Sequence, residues 1–205
     1  MFTGIVQDLG RVRSVEALAQ GRRLTVESAV AGADIELGES IAVDGACMTV
    51  VEWGEGWFAV DVSAESLRCT TLGAMTPGHA VNVERSMTMA DRLGGHMVSG
   101  HVDGTGEVLS IRPEGESYLF TFGAGPSIAE LLIEKGSITV DGISLTCFAC
   151  ADDRFDVAVI PHTFAVTTLG SKKPGDAVNL ENDLFGKYVQ KLVDQALVRR
   201  LGTQD

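Results

Sequence analysis

A seven-residue stretch is written twice in this chain, and the repetition constrains what the chain can become more than any other feature. Val43-Asp44-Gly45-Ala46-Cys47-Met48-Thr49 returns as Val140-Asp141-Gly142-Ile143-Ser144-Leu145-Thr146, 97 positions later. The flanks follow: residues 40–84 and 137–181 agree at 19 of 45 positions without a gap. A chain of 205 residues can form one large domain or two small ones. The repeat selects two, and modules of roughly 90 residues bury modest cores that gain from packing together. We expect a first module over 1–97, a second over 98–183, and an appended helix and tail over 184–205.

Within each copy, short apolar runs alternate with turn signals. A strand is expected over residues 2–15, with Gly10 at a bulge or bend, and its counterpart over 98–111. Further strands are expected over 22–28, 40–43, 47–53, 57–62 and 80–84, with equivalents in the second copy. Asp44-Gly45 beside alternating apolar residues predicts a tight hairpin. Ser127-x-x-Glu130 reads as a capping box ahead of a short helix. A weaker helix is expected over 31–37, and a helical turn over 64–69. Six short strands per copy predict an all-β fold: two tandem six-stranded Greek-key-type β-barrels with short helices, since closure removes exposed strand edges. Residues 86–95 read as the linker. From Leu184 to Leu201, Phe185, Tyr188, Val189, Leu192, Val193, Ala196 and Leu197 fall at helical spacing. That predicts a C-terminal amphipathic helix, capped by Asn182 or Asp183, that covers a barrel or self-associates.

Composition narrows the function classes. A net charge of −12 opposes nucleic-acid binding, which needs clustered Lys and Arg, and opposes anionic membrane surfaces. No apolar run approaches a membrane span of about 20 residues. The first residues lack a secretory pattern, so the expected location is cytoplasmic. The four cysteines, Cys47, Cys69, Cys147 and Cys150, are then expected as free thiols. Cys147-x-x-Cys150 is half a zinc motif without a second half, and on a strand the two thiols would face opposite ways. No metal site is expected.

Three sets of residues carry a resemblance over about 1–195. They are Met1-Phe2-Thr3-Gly4-Ile5-Val6, Gly94-Gly95-His96-Met97-Val98-Ser99-Gly100-His101-Val102, and Asp141-Gly142-Ile143-Ser144-Leu145-Thr146. With Thr167-Thr168-Leu169-Gly170 and Val178-Asn179-Leu180-Glu181, they make the chain similar to riboflavin synthases of the alpha-chain, lumazine-binding type. The resemblance implies that two molecules of 6,7-dimethyl-8-ribityllumazine react. One gives a four-carbon unit to the other, yielding riboflavin and 5-amino-6-ribitylamino-uracil without metal or redox cofactor. It also implies a homotrimer held by C-terminal helices, with each site between the first barrel of one subunit and the second barrel of a neighbour. It leaves room for an association with lumazine synthase.

A reaction between two copies of one molecule suits a duplicated fold, because holding both reactants replaces a chance encounter by a positioned one. Donor and acceptor do opposite jobs, so the two cradles must differ. The sequence differs at Cys47 against Ser144, Ile5 against His101, and Gly38 against Lys135. His101 is expected to move a proton or orient a lumazine, since imidazole titrates near neutrality; the bland reading is a hydrogen-bonded structural histidine. Ser144 is expected to deliver or stabilise a nucleophile derived from water, and Cys47 to assist, against the bland reading of two small turn residues. Lys135 suits a carbonyl or ribityl oxygen, or is simply a solvated lysine. Asp183 caps a helix, and the resemblance gives it a catalytic role too. His96 lacks a contrast between the copies and reads as structural, and Asp44 and Asp141 read as turn residues.

By resemblance, ligand contacts are expected from Phe2, Thr3, Gly4, Ile5 and Val6, and from Cys47, Met48 and Thr49. They are also expected from Asp61, Val62 and Ser63, from Gly100, His101 and Val102, from Lys135, Ser144, Leu145 and Thr146, and from Val159, Ile160, Pro161, His162 and Thr163. His162 departs from members with glutamate there, and Ala46 stands where some have a second cysteine. The competing readings are a non-catalytic lumazine- or flavin-binding antenna protein, which would keep one good cradle and degrade the other, and an interaction module without a flavin-like ligand.

Overall fold

In a computed structural model that describes residues 1–32 and 34–201, the chain forms two closed six-stranded antiparallel barrels of identical strand order. The first comprises β1 (Asp8–Leu18), β2 (Gly21–Glu27), β3 (Ser40–Val43), β4 (Ala46–Gly54), β5 (Trp57–Val62) and β6 (Ala80–Arg85). The second comprises β7 (Gly104–Glu114), β8 (Ser117–Gly123), β9 (Ser137–Val140), β10 (Ile143–Phe148), β11 (Arg154–Val159) and β12 (Ala177–Asn182). Each barrel closes in the order first, second, fifth, fourth, third, sixth strand. Short helices α1 (Ala64–Cys69), α2 (Pro126–Ala129) and α3 (Pro161–Val166) cap the barrels, and α4 (Leu184–Leu201) follows the last strand.

The alternation that predicts strands also sorts side chains. On β4, Met48 and Val50 are buried while Cys47 is half-buried and Thr49 exposed. A strand places neighbours on opposite faces, so Cys47 and Thr49 share the outer face. Leu24, Val26, Ile41, Phe58, Val60 and Val83 fill the first barrel, and Phe120, Phe122, Ile138, Phe155, Val157 and Leu180 fill the second. The Asp-Gly hairpins form as expected: Val43 pairs with Ala46 and Val140 with Ile143. Both turn residues of each hairpin have positive φ (Asp44 43°, Gly45 78°; Asp141 46°, Gly142 81°), which suits a two-residue turn of this type.

Several expectations are corrected. Residues 2–7 and 98–103 do not continue their barrels' first strands. They form crossing segments, with Phe2 and Val98 joined by a reciprocal bridge (N–H donors at 2.8 and 3.1 Å). Val6 packs against the second core and Val102 against the first. An unpaired strand end lowers its free energy by hydrogen bonding to the other module, and periodicity cannot register this. Gly10 is not at the bulge, which falls between Val12 and Ser14; Gly10 instead lets the Glu27 carbonyl approach. Ser127 does not cap α2: Gly125 holds that position and Pro126 opens the helix. Over 31–37 the described residues form turns, with residue 33 outside them. Finally, the chain reverses after Phe148 at Ala149 (φ 49°), so Cys147 and Cys150 interact rather than face apart. Burial, together with Cys150, pushes the Cys147 thiol up to about 12.

The barrels meet through their turn tips. A Cβ on Gly45 would lie 2.6 Å from the Gly142 nitrogen. Asn82 of the first barrel donates to the Asp141 carbonyl and the Thr168 hydroxyl (both 2.8 Å) and accepts from the Thr168 N–H. Asn179 of the second mirrors it, donating to the Asp44 carbonyl and accepting from the Thr71 N–H (both 2.8 Å).

Candidate active site

Two outward-facing strips define the site, one per barrel, and the crossing segments edge both. Glu84 accepts from the Thr3 N–H and hydroxyl (both 2.7 Å) and from the Gly4 N–H (3.1 Å). Glu181 holds Ser99 and Gly100 the same way, at 2.8, 2.6 and 3.0 Å. Each glutamate thus fixes a glycine turn whose carbonyl reaches the other barrel. Gly4 O accepts from Ser144 N and Gly100 O from Cys47 N, both at 2.8 Å. Burial raises both glutamate pKa values, and the donated hydrogen bonds oppose the rise.

The second-barrel strip is polar. Ser144 Oγ lies 2.7 Å from His96 Nδ1, and His96 Nε2 lies 3.2 Å from the Thr139 hydroxyl. Burial holds the His96 pKa below the ordinary histidine value, partly offset by the charge of Asp183. Asp183 also accepts from the Phe185 N–H at 2.9 Å and caps α4. The corresponding strip on the first barrel is apolar: Phe2, Ala42 and Val98 pack together with Cys47 beside them. Ala42 stands where the second copy has Thr139.

The structure separates the expected ligand residues by face. Cys47 with Thr49, and Ser144 with Thr146, point outward. His101, Ile5, Ile160 and His162 are exposed at the edges. Met48, Val62 and Val159 are core side chains and offer main-chain groups alone, and Leu145 packs on the second core. The Asp61 carboxylate is held at two points by Arg23 (2.7 and 3.0 Å). Ser63 caps α1, Pro161 opens α3, and Thr163 gives its carbonyl to the Thr167 hydroxyl. His101 borders Cys47 through Gly100, not Ser144, within one chain. Lys135 adopts φ 64°, the conformation its partner Gly38 (φ 87°) takes freely, and its ammonium lies 4.5 Å from the Phe148 ring centroid.

Sequence reasoning missed His96 and Thr139 as partners of Ser144, and Glu84 and Glu181 as clamps. The glutamates did leave a signal, since Val-Asn-x-Glu occurs at the same place in both copies. Among the described residues, no group of three or more His, Cys, Asp or Glu side chains could hold a metal ion. A cavity of about 610 Å³ beside Gly38, Glu39 and Arg85 includes none of the candidate catalytic groups.

The lumazine binding domain model matches twice, over residues 3–86 and 99–183. A riboflavin synthase from Mycobacterium tuberculosis is 46% identical over 200 residues, covering 96% of this chain and all of that protein. The chain belongs to the riboflavin synthase family. Another family member, from Actinobacillus pleuropneumoniae, is 43% identical over 193 residues, covering 94% of this chain and 90% of its own. LumP complexed with riboflavin has the same fold, with TM-score 0.82 and 23% identity over 89% of this chain and 99% of that one.

Proposed function

We propose that this chain is a transferase that forms riboflavin. It takes two molecules of 6,7-dimethyl-8-ribityllumazine and moves a four-carbon unit from one to the other, releasing 5-amino-6-ribitylamino-uracil. The observation that carries this reading is the pair of cradles built alike and equipped differently. Gly4 meets Ser144 beside His96 and Thr139, and Gly100 meets Cys47 beside Phe2, Ala42 and Val98. Like substrates call for like cradles, and opposite roles call for unlike groups. Ser144 orients or activates the nucleophile, Cys47 assists, His101 moves a proton, and Asp183 adds negative charge near the second cradle. Lys135 takes a ligand oxygen.

Thr49 and Thr146 are exposed and Cys47 and Ser144 half-buried at the barrel surfaces, with Phe2, Ala42, Val98, His96 and Thr139 buried behind them, which supports a site completed by a second subunit. The apolar stripe of α4 supports the same conclusion. Phe185, Tyr188, Val189, Leu192, Val193 and Leu197 are each at least half exposed, and contiguous exposed apolar side chains of this kind mark interaction faces. Lys187 anchors the helix to Asp103 (2.6 Å) and Gln190 anchors it to Glu130 (2.9 Å), which leaves the stripe facing outward. The proposed assembly is a homotrimer in the cytoplasm, and four free cysteines suit that reducing compartment.

Mixing the protein with the lumazine alone and following riboflavin fluorescence and absorbance tests the reading. Riboflavin and the pyrimidine should form in equal amounts. Stoichiometric fluorescent binding without turnover would favour an antenna protein instead. Sedimentation of the full chain and of a chain ending at residue 187 tests the assembly: the shortened form should be monomeric and nearly inactive.

A further inference from the structure

We propose that His96 is a positioning residue for Ser144: its Nδ1 accepts the serine proton, so that Oγ presents a lone pair toward the ligand side of the second cradle. The proposal rests on the reading of the chain as a riboflavin-forming enzyme and assigns a residue that this reading does not use.

The two ring contacts fit either neutral tautomer, and the proposed one carries its proton on Nε2. A neutral imidazole donates from one nitrogen and accepts at the other. His96 is 9% exposed, and its two nitrogens face two hydroxyls, Ser144 at 2.7 Å and Thr139 at 3.2 Å. With Nε2–H donated to Thr139, Nδ1 must accept, and the short contact to Ser144 is the accepting one. The ring is held from three sides. The main-chain N–H of His96 donates to the Thr3 carbonyl at 3.1 Å, β9 and β10 supply the hydroxyls to the ring, and Gly95 leaves no room beside Ser144: a Cβ there would lie 2.9 Å from Oγ. The charged group whose field reaches the ring is Asp183, at the start of α4.

Protonation reverses the arrangement. An imidazolium donates from both nitrogens, so Ser144 would accept from Nδ1 and turn its own proton outward. The second cradle then presents a donor where the neutral form presents an acceptor. Because burial depresses the His96 pKa, the acceptor form persists below the ordinary histidine range. Among the described residues Cys47 has no such partner, so one cradle alone carries this control.

A double-mutant cycle on the full-length protein tests the idea. Gln places its amide near the Nε2 position and keeps the Thr139 contact; Asn places its amide near Nδ1 and keeps the Ser144 contact. His96→Gln should lower kcat by roughly 10²-fold with little change in KM, and His96→Asn should cost less. In a Ser144→Ala background, His96→Gln should cost almost nothing more. The unmodified enzyme should lose kcat on acidification, with the midpoint below the ordinary histidine value, and His96→Asn should abolish that limb. Equal losses from His96→Gln in both backgrounds, or an acid limb whose midpoint is unchanged in His96→Asn, would overturn the proposal. If His96→Gln does not fold by circular dichroism, Thr139→Val takes its place in the cycle. An unmodified protein that forms no riboflavin at all would instead defeat the enzymatic reading.

Discussion

Gly100 lies directly on Cys47, although the two belong to different halves of the chain. Its carbonyl accepts from the Cys47 N–H at 2.8 Å, and a Cβ on Gly100 would sit 2.6 Å from the Cys47 Cβ. The glycine also has φ 79°. Strain and collision therefore act together at one residue. Gly100→Ala should destabilise the protein by at least about 2 kcal/mol, the left-handed conformation alone costing ~1–2. Urea denaturation measures the loss, and a change under about 0.5 kcal/mol would contradict the contact.

Asn82 and Asn179 staple the barrels to each other through buried hydrogen bonds. Removing either amide strands a buried N–H and a buried carbonyl. Asn82→Ala should cost about 2–3 kcal/mol, and Asn179→Ala a similar amount. Differential scanning calorimetry should show the change, possessing a single transition in the native protein and two in a variant whose barrels uncouple.

The turn aspartates give a pH dependence of definite sign. Asp44 is fully buried, and burial, reinforced by the Asp141 charge, pushes its pKa well above the usual carboxylate range; the Asn82 N–H and Lys172 oppose the rise. Lys172 sits 2.8 Å from Asp141 Oδ2, whereas Met75 holds the equivalent place in the first copy. A folded-state pKa above the unfolded value of about 3.9 means that the stability tied to the bound proton is full below that pH. It is lost as pH rises through the folded pKa. Asp44→Asn keeps an oxygen for the Asn82 N–H (2.7 Å) and cannot ionise. Its Tm should match the parent near pH 4 and exceed it at pH 7. A parent more stable than the variant at pH 7 would reverse the conclusion.

Lys135 trades stability for a charged group. Holding a non-glycine residue at φ 64° costs about 1–2 kcal/mol, and the Phe148 contact returns part of that, about 0.5–1 kcal/mol. Lys135→Gly should leave stability within about 1 kcal/mol of the parent while weakening lumazine binding. Fluorescence titration against denaturant midpoints separates the two effects. Unchanged affinity would remove Lys135 from the site.

Much of this was legible in local pattern. The apolar alternation and the Asp-Gly turns set out the strands, and Asp183 capped α4 as expected. Three of the asymmetries, at Cys47, His101 and Lys135, were visible as mismatches between copies. Ala42 against Thr139 and Met75 against Lys172 were mismatches as well, but nothing local gave them a meaning. His96 looked inert because it lacked a contrast between the copies, and its meaning comes from Ser144, 48 positions away. Asp44 and Asp141 read as turn residues and are so, but the meeting of their two turns at the contact between barrels was not legible.

The sequence by itself determined two barrels of one design, because strand periodicity and turn chemistry act over a few residues and the repeat enforces them twice. Only the tertiary structure decided which side chains became partners. That choice depends on the crossing of residues 2–7 and 98–103, in which the Gly4 and Gly100 carbonyls each accept an N–H of the opposite barrel. The crossing sets His101 beside Cys47 and His96 against Ser144, and so turns two nearly equal halves into unequal ones.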